Sequence, residues 1–218
     1  MNRELNGQFQ MDGSLTFPSV KPYFQALSAL IEKVPHMQIG EIVSVILKAY
    51  DEERALFVFG NGGSAATASH IVCDLNKGAT VGLQGKRFRM MALTDNVPLL
   101  TAWANDAAYD RVFAEQLRNF VRPRDVVFAI SSSGNSENVL QALRVGRELG
   151  AIQLGIAGGT GGAMKDLCDV CAVVPSDNIQ LVEDLHHAIA HSIAAVVREE
   201  LLSRGEGSRA ASAGSAGR

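Results

Sequence analysis

Five short apolar runs, each closed by a polar or glycine-rich turn, constrain this chain more than any other feature. They are Ala55 to Phe59, Phe88 to Thr94, Asp125 to Ile130, Ile152 to Ala157 and Val170 to Val174, with helical spacing between them. Such alternation is what a parallel sheet covered on both faces requires, because neither face of its strands meets water. The pattern predicts an α/β protein, a doubly wound three-layer sandwich of about five parallel strands, with ligands bound at the carboxyl ends of the strands. Ahead of the first run, residues 22–50 carry apolar residues at helical spacing interrupted by Pro35, which predicts an N-terminal helical hairpin. A long amphipathic segment, Ile179 to Leu202, predicts the last helix.

With 218 residues, 47% of them apolar, the chain can bury one substantial core. We expect a flexible segment over 1–20, one domain over 21–203, and a disordered tail over 204–218, where Gly, Ser, Ala and Arg show no apolar period. A net charge of -3 leaves no basic footprint for nucleic acid. No apolar stretch is long enough for a membrane span, and the N-terminus has no secretory core, so the expected location is the cytoplasm. Three cysteines make no disulfide framework. Cys168-Asp-Val-Cys171 reads as core packing, since residues three apart on a strand point to opposite faces.

Two turns carry chemistry. Ser131-Ser-Ser-Gly-Asn-Ser136 follows a buried strand and opens a helix from Glu137 to Leu149. Its hydroxyls, a glycine that admits close backbone approach, and free N–H groups at a helix start make a neutral cradle for a phosphate monoester. A helix cap needs one hydroxyl, not four. Gly60-Asn61-Gly62-Gly63-Ser64-Ala65 also joins a strand to a helix and formally fits a dinucleotide fingerprint. The acidic ribose partner that fingerprint needs is missing at the right distance, and no P-loop lysine follows. Both turns are therefore read as surrounding one small ligand.

His70 and Asp74 stand four apart on the helix after the first turn, and Glu183, His187 and His191 repeat that spacing on the last helix. Imidazoles with carboxylates that converge from two helices suit a Zn²⁺ site, acid–base proton transfer, or both.

Assembled in this order, the residues resemble the SIS (sugar isomerase) domain family, in its sedoheptulose-7-phosphate isomerase branch. The resemblance rests on Gly60 to Ala66 with His70, on Ala104-Asn105-Asp106, on Ser131 to Asn138, and on Val174 to Asp177 leading to His186 and His191. It implies a flavodoxin-like fold, a homotetramer with sites between subunits, and aldose–ketose isomerisation of a sugar phosphate through an enediol. By that resemblance Asn61, Ser64, Ser131, Ser133 and Ser136, with Gly62 and Ser132 of the same turns, hold phosphate or substrate, and Asp106 belongs to the substrate site. His70, Asp74, Glu183 and His191 match a metal and acid–base set in which the carboxylate on the first helix is the base and the last histidine the acid.

Two departures stand out. Asp74 takes the place of a Glu, and Glu183 that of a Gln, so either Glu183 takes the base role or the two carboxylates together neutralise a bound Zn²⁺. The alternative function is a non-catalytic SIS protein that binds a sugar phosphate or a protein partner as a regulator of replication initiation. A nicotinamide-dependent oxidoreductase rests on the glycine turn alone. Trp103 and Tyr109, near Asp106, are read as packing.

Overall fold

The computed structural model describes residues 19–82 and 86–215, the side chains of 206–215 excepted. The expected flexible segment over 1–20 lies, except for Ser19 and Val20, outside the described residues.

Five parallel strands form one sheet: β1 Ala55–Phe59, β2 Arg89–Ala92, β3 Val126–Ser131, β4 Ile152–Gly158 and β5 Val170–Val174, in the order β2-β1-β3-β4-β5. Strand β1 is buried throughout and its residues alternate between two cores. Leu56 and Val58 face one core, while Ala55, Phe57 and Phe59 face the other. The first core is covered by α1 Lys21–Ile31, α2 His36–Asp51, α3 Gly63–Cys73 and α8 Ile179–Ser215. The second is covered by α4 Val97–Asp106, α5 Ala114–Phe120, α6 Glu137–Glu148 and α7 Met164–Leu167. This is the expected doubly wound sandwich, flavodoxin-like in its strand order, and the hairpin α1–α2 turns at Pro35 as expected. Among the described residues no helix is long and apolar enough to cross a membrane.

Three elements differ from the sequence reading. Helix α3, on which the sequence spacing places both His70 and Asp74, ends at Cys73 and widens at Asp74 into a π-turn, Asp74–Gly78. That turn is held at its middle, by Asn76 Nδ2 donating to the Met90 carbonyl at 2.9 Å, and at its end, by Arg198 of α8 donating to the Gly78 carbonyl. Helix α8 continues to Ser215, past the Leu202 end that the apolar period gives and through most of the expected tail. Apolar period reports burial, so it stops where the helix leaves the core and not where the helix itself ends. Arg204 helps by pairing with Glu200 one turn back at 3.2 Å and with Asp51 of α2 at 3.0 Å. Finally, Cys168 precedes β5 across a bend at Asp169, so the two cysteines do not obey strand alternation.

Candidate functional site

The sheet order has a reversal between β1 and β3: the chain leaves β1 toward β2 on one side and leaves β3 toward β4 on the other. A crevice forms at such a point, outside the carboxyl ends of the two strands. Both chemically marked turns open there. They line a cleft of about 530 Å³ together with Glu183 and Asp177. A second cleft of about 500 Å³, near Arg54, Phe120 and Arg122, lies at the amino ends of β1 and β3, away from both turns.

Strand β3 outruns β1: pairing between them ends at Phe59 and Ala129, while Ser131 still pairs with Ala157 of β4. The serine turn therefore projects over the end of β1. Ser131 Oγ accepts from the Gly134 N–H at 3.2 Å and Ser133 Oγ from the Asn135 N–H at 3.2 Å, so the hydroxyls are oriented by the turn's own backbone. Ser132 Oγ is buried with no hydrogen-bond partner among the described residues. Ser136 is the residue that caps α6, yet its side chain makes no capping hydrogen bond. A buried hydroxyl without a partner costs roughly 1–3 kcal/mol, and a ligand oxygen at the turn is what would satisfy it.

The turn is supported from behind. Gly134 sits at φ 64, where a Cβ would collide with the Gly161 carbonyl. The Met164 N–H donates to the Gly134 carbonyl at 2.9 Å, the Ala163 N–H to Asn135 Oδ1 at 2.9 Å, and the Gly158 N–H to the Ser132 carbonyl at 3.1 Å.

The glycine turn is joined to the serine turn by a reciprocal amide pair. Asn61 Nδ2 donates to Asn138 Oδ1 at 2.9 Å and Asn138 Nδ2 donates to Asn61 Oδ1 at 2.8 Å. Asn138 is 3% exposed, so this pair fixes Asn61 from the core outward. Gly60 lets the turn lie against β3, because a Cβ there would stand 2.6 Å from the Ile130 carbonyl oxygen. Gly62 takes φ 54, and Ser64 enters the cleft from the first turn of α3. Tyr109, which the sequence reading assigned to packing, is 61% exposed and donates its hydroxyl to Asn61 Oδ1 at 3.0 Å. Trp103 does pack, against the second core. Asp106 ends α4 exposed, accepts from Asn105 Nδ2 at 2.8 Å, and is not among the cleft's lining residues.

Helices α3 and α8 pack against each other and carry the remaining groups. His70 comes from α3 and Asp74 from the π-turn that continues it, His187 and His191 from α8. The three imidazoles offer ligand atoms that all lie within 4.8 Å of one another, with the His70 and His191 Nε2 atoms 2.8 Å apart. Asp74 Oδ2 lies 3.3 Å from His70 Nε2 and 3.8 Å from His191 Nε2. Burial, and then the neighbouring imidazoles of His70 and His191, hold His187 below its ordinary value, which favours the neutral imidazole that a metal needs. Three imidazoles and a carboxylate converging from two helices are donors of the number and type that suit Zn²⁺.

Glu183 is elsewhere. Its carboxylate lies over Gly63 at the start of α3, where a Cβ on residue 63 would meet it at 2.5–2.8 Å, and it faces the cleft. Along α8 it stands four residues, about 6 Å, from His187. The structure thus brings His70, Asp74 and His191 together, adds His187, and leaves Glu183 beside Ser64. The i,i+4 spacing of His187 and His191 was the signal for that addition.

Three comparisons agree with this geometry. The SIS-domain model matches residues 22–158. A phosphoheptose isomerase of Bradyrhizobium sp. is 40% identical over 166 residues, 75% of this chain and 81% of that one. One from Aliarcobacter butzleri is 40% identical over 187 residues, 84% of this chain and 96% of that one. Among solved structures, the phosphoheptose isomerase of Neisseria gonorrhoeae superposes with a TM-score of 0.76 at 27% identity, covering 83% of this chain and 97% of that one. That of Francisella tularensis gives 0.77 at 25% identity, with 83% and 96% covered. Sequence blocks, sheet order and the crevice at β1 and β3 lead to one conclusion: this chain belongs to the SIS-domain family, in its phosphoheptose isomerase branch.

Proposed function

We propose that this protein is an aldose–ketose isomerase of a sugar phosphate, with sedoheptulose 7-phosphate and the corresponding heptose 7-phosphate as its substrates. The observation that carries the reading is the composition of the cleft. Hydroxyls and amides with an unpartnered Ser132 stand on the sheet side, and a carboxylate stands opposite on α8.

In this reading Ser131, Ser132, Ser133 and Ser136, with backbone N–H groups at the start of α6, hold the phosphoryl oxygens. Asn61 and Ser64 orient the sugar beside the phosphate, and Asp106 closes the substrate site near Tyr109. A carboxylate, Glu183 or Asp74, takes the proton from C1 of the ketose and returns it at C2. His191 moves the hydroxyl proton and assists ring opening. His70, Asp74, His187 and His191 would hold Zn²⁺, which would polarise the carbonyl oxygen as a Lewis acid. Glu183, which the resemblance puts in the metal set, is assigned to the sugar instead, because it faces the cleft. The presence of His70, Asp74 and His191 together favours catalysis over a purely regulatory role. Exposed apolar side chains on the N-terminal hairpin, Phe24, Ile31 and Met37, support a homotetramer, and free cysteines fit a reducing cytoplasm.

The test is conversion of sedoheptulose 7-phosphate followed by proton NMR, with and without chelator and added Zn²⁺. Aldose anomeric signals that fade on chelation and return with Zn²⁺ are expected. Ser133→Ala should raise KM by roughly 10–100-fold, the loss of one hydrogen bond to a charged group. Metal-replete protein that converts no sugar 7-phosphate would end the proposal.

A further inference from the structure

The site described above leaves one reactive pair unused. Cys168 and Cys171 flank the bend at Asp169, whose N–H donates to the Gln153 carbonyl at 2.8 Å and whose carboxylate accepts from the Gln153 N–H at 2.8 Å. The bend brings together two side chains that a continuous strand would point apart. Both reach the same spot over Gly155 of β4: a Cβ built there would stand 2.7 Å from the Cys168 sulfur and 3.2 Å from the Cys171 sulfur. Only glycine at 155 leaves room for both thiols.

The two thiols also differ in character. The neighbouring Cys171 thiol, and then burial, push Cys168 up, so it holds its proton. The same neighbour, helped by Lys165 against the opposing effect of burial, shifts Cys171 down. A low-lying thiolate beside a protonated resolving thiol is the arrangement of redox-responsive cysteines. Both are only partly buried, so a small oxidant has access.

We propose that Cys168 and Cys171 form a redox-responsive dithiol that a hydroperoxide closes to an intrachain disulfide, stiffening the segment behind the serine turn. The Cys171 thiolate attacks the terminal peroxide oxygen, the O–O bond breaks, and the alkoxide or hydroxide leaves to take up a proton, giving Cys171 sulfenic acid. The Cys168 sulfur then attacks the Cys171 sulfur and releases the sulfenic oxygen as water with the Cys168 proton. The sulfurs lose two electrons in all, and the hydroperoxide is reduced to an alcohol, or to water when hydrogen peroxide is the oxidant. The link to the serine turn runs through α7. The Cys168 N–H donates to the Met164 carbonyl at 3.1 Å, and the Met164 N–H donates to the Gly134 carbonyl at 2.9 Å. A bond between Cys168 and Cys171 closes the bend through which α7 joins β5 and therefore fixes the angle between them.

The experiment treats folded, reduced protein with hydrogen peroxide, traps free thiols with iodoacetamide, and reads intact and peptide masses. Before trapping, oxidised protein is expected to be about two mass units lighter than reduced protein. Cys168 and Cys171 should both escape alkylation, and dithiothreitol should restore them. Exposed Cys73, on α3 in the other helical layer, serves as the alkylated control. In Cys168→Ser, Cys171 should accumulate as a dimedone-reactive sulfenic acid, whereas in Cys171→Ser residue 168 should stay a thiol. Peptides covering 132–138 and 159–169 should exchange amide hydrogen at least about threefold more slowly in the oxidised wild type. Cys168 and Cys171 both still alkylatable after oxidation, intermolecular crosslinks instead, or a disulfide with unchanged exchange in those peptides would each overturn the proposal.

Discussion

Glu183 and Asp74 divide what the sequence left undivided. Both are carboxylates on facing helices, yet one lies among imidazoles and the other beside Ser64. Glu183→Gln should lower kcat by about 10²–10⁴-fold, the usual worth of a positioned proton acceptor, while bound zinc measured by elemental analysis stays at wild-type level. Asp74→Asn should instead weaken zinc retention in a chelator competition. Zinc loss from Glu183→Gln at unchanged kcat would reverse the assignment. The turn residues Asn61, Ser64 and Ser131 to Ser136 were legible because each stands where an apolar run stops, and only the end of a strand puts side chains into the crevice. The level of a residue along a helix axis was not legible. Spacing by four gives a shared face, but Glu183, His187 and His191 on that face are spread over about 12 Å, enough for two different surroundings. Tyr109 was read as packing because it begins a single 3₁₀ turn, Tyr109–Arg111, too short for any period to show its contact with Asn61.

At the scale of elements, the serine turn depends on the loop between β4 and α7 rather than on its own helix. Gly134→Ala places a Cβ at positive φ and against the Gly161 carbonyl. The left-handed backbone alone costs about 1–2 kcal/mol, and relief of the collision must move one of the two loops. We expect KM for the sugar phosphate to rise more than about 10-fold at nearly unchanged kcat, with a lower Tm by calorimetry. A variant with wild-type KM would show that the support is dispensable. The strands themselves were legible to within a few residues, since an apolar run bounded by glycine or polar residues has few other uses in a buried sheet. The π-turn at Asp74–Gly78 was not, because it follows from tertiary anchors on Met90 and Arg198 that no local pattern announces.

For the molecule as a whole, the sandwich could be read from alternation alone, but the order β2-β1-β3 could not. That order entered only with the flavodoxin-like fold that the family resemblance implies. The buried core also contains a titratable weakness. His186 of α8 is 1% exposed, and neither ring nitrogen has a hydrogen-bond partner among the described residues. Burial lowers its pKa from 6.5 to about 4, and the nearby Ala157 backbone offsets this only in part, short of hydrogen-bond geometry. The unfolded chain therefore binds the proton more readily. Stability is complete above about pH 6.5 and is lost as the pH falls toward 4, by up to about 3 kcal/mol from this residue. Urea midpoints measured across that window should fall for the wild type and fall less for His186→Gln. Identical slopes would remove His186 as the cause. The clasp of Asn61 and Asn138 behaves otherwise, because amides have no proton to gain in this range. Mild acid thus loosens the molecule through α8 and its buried imidazole, while the amide clasp that ties the two turns together keeps its hydrogen bonds.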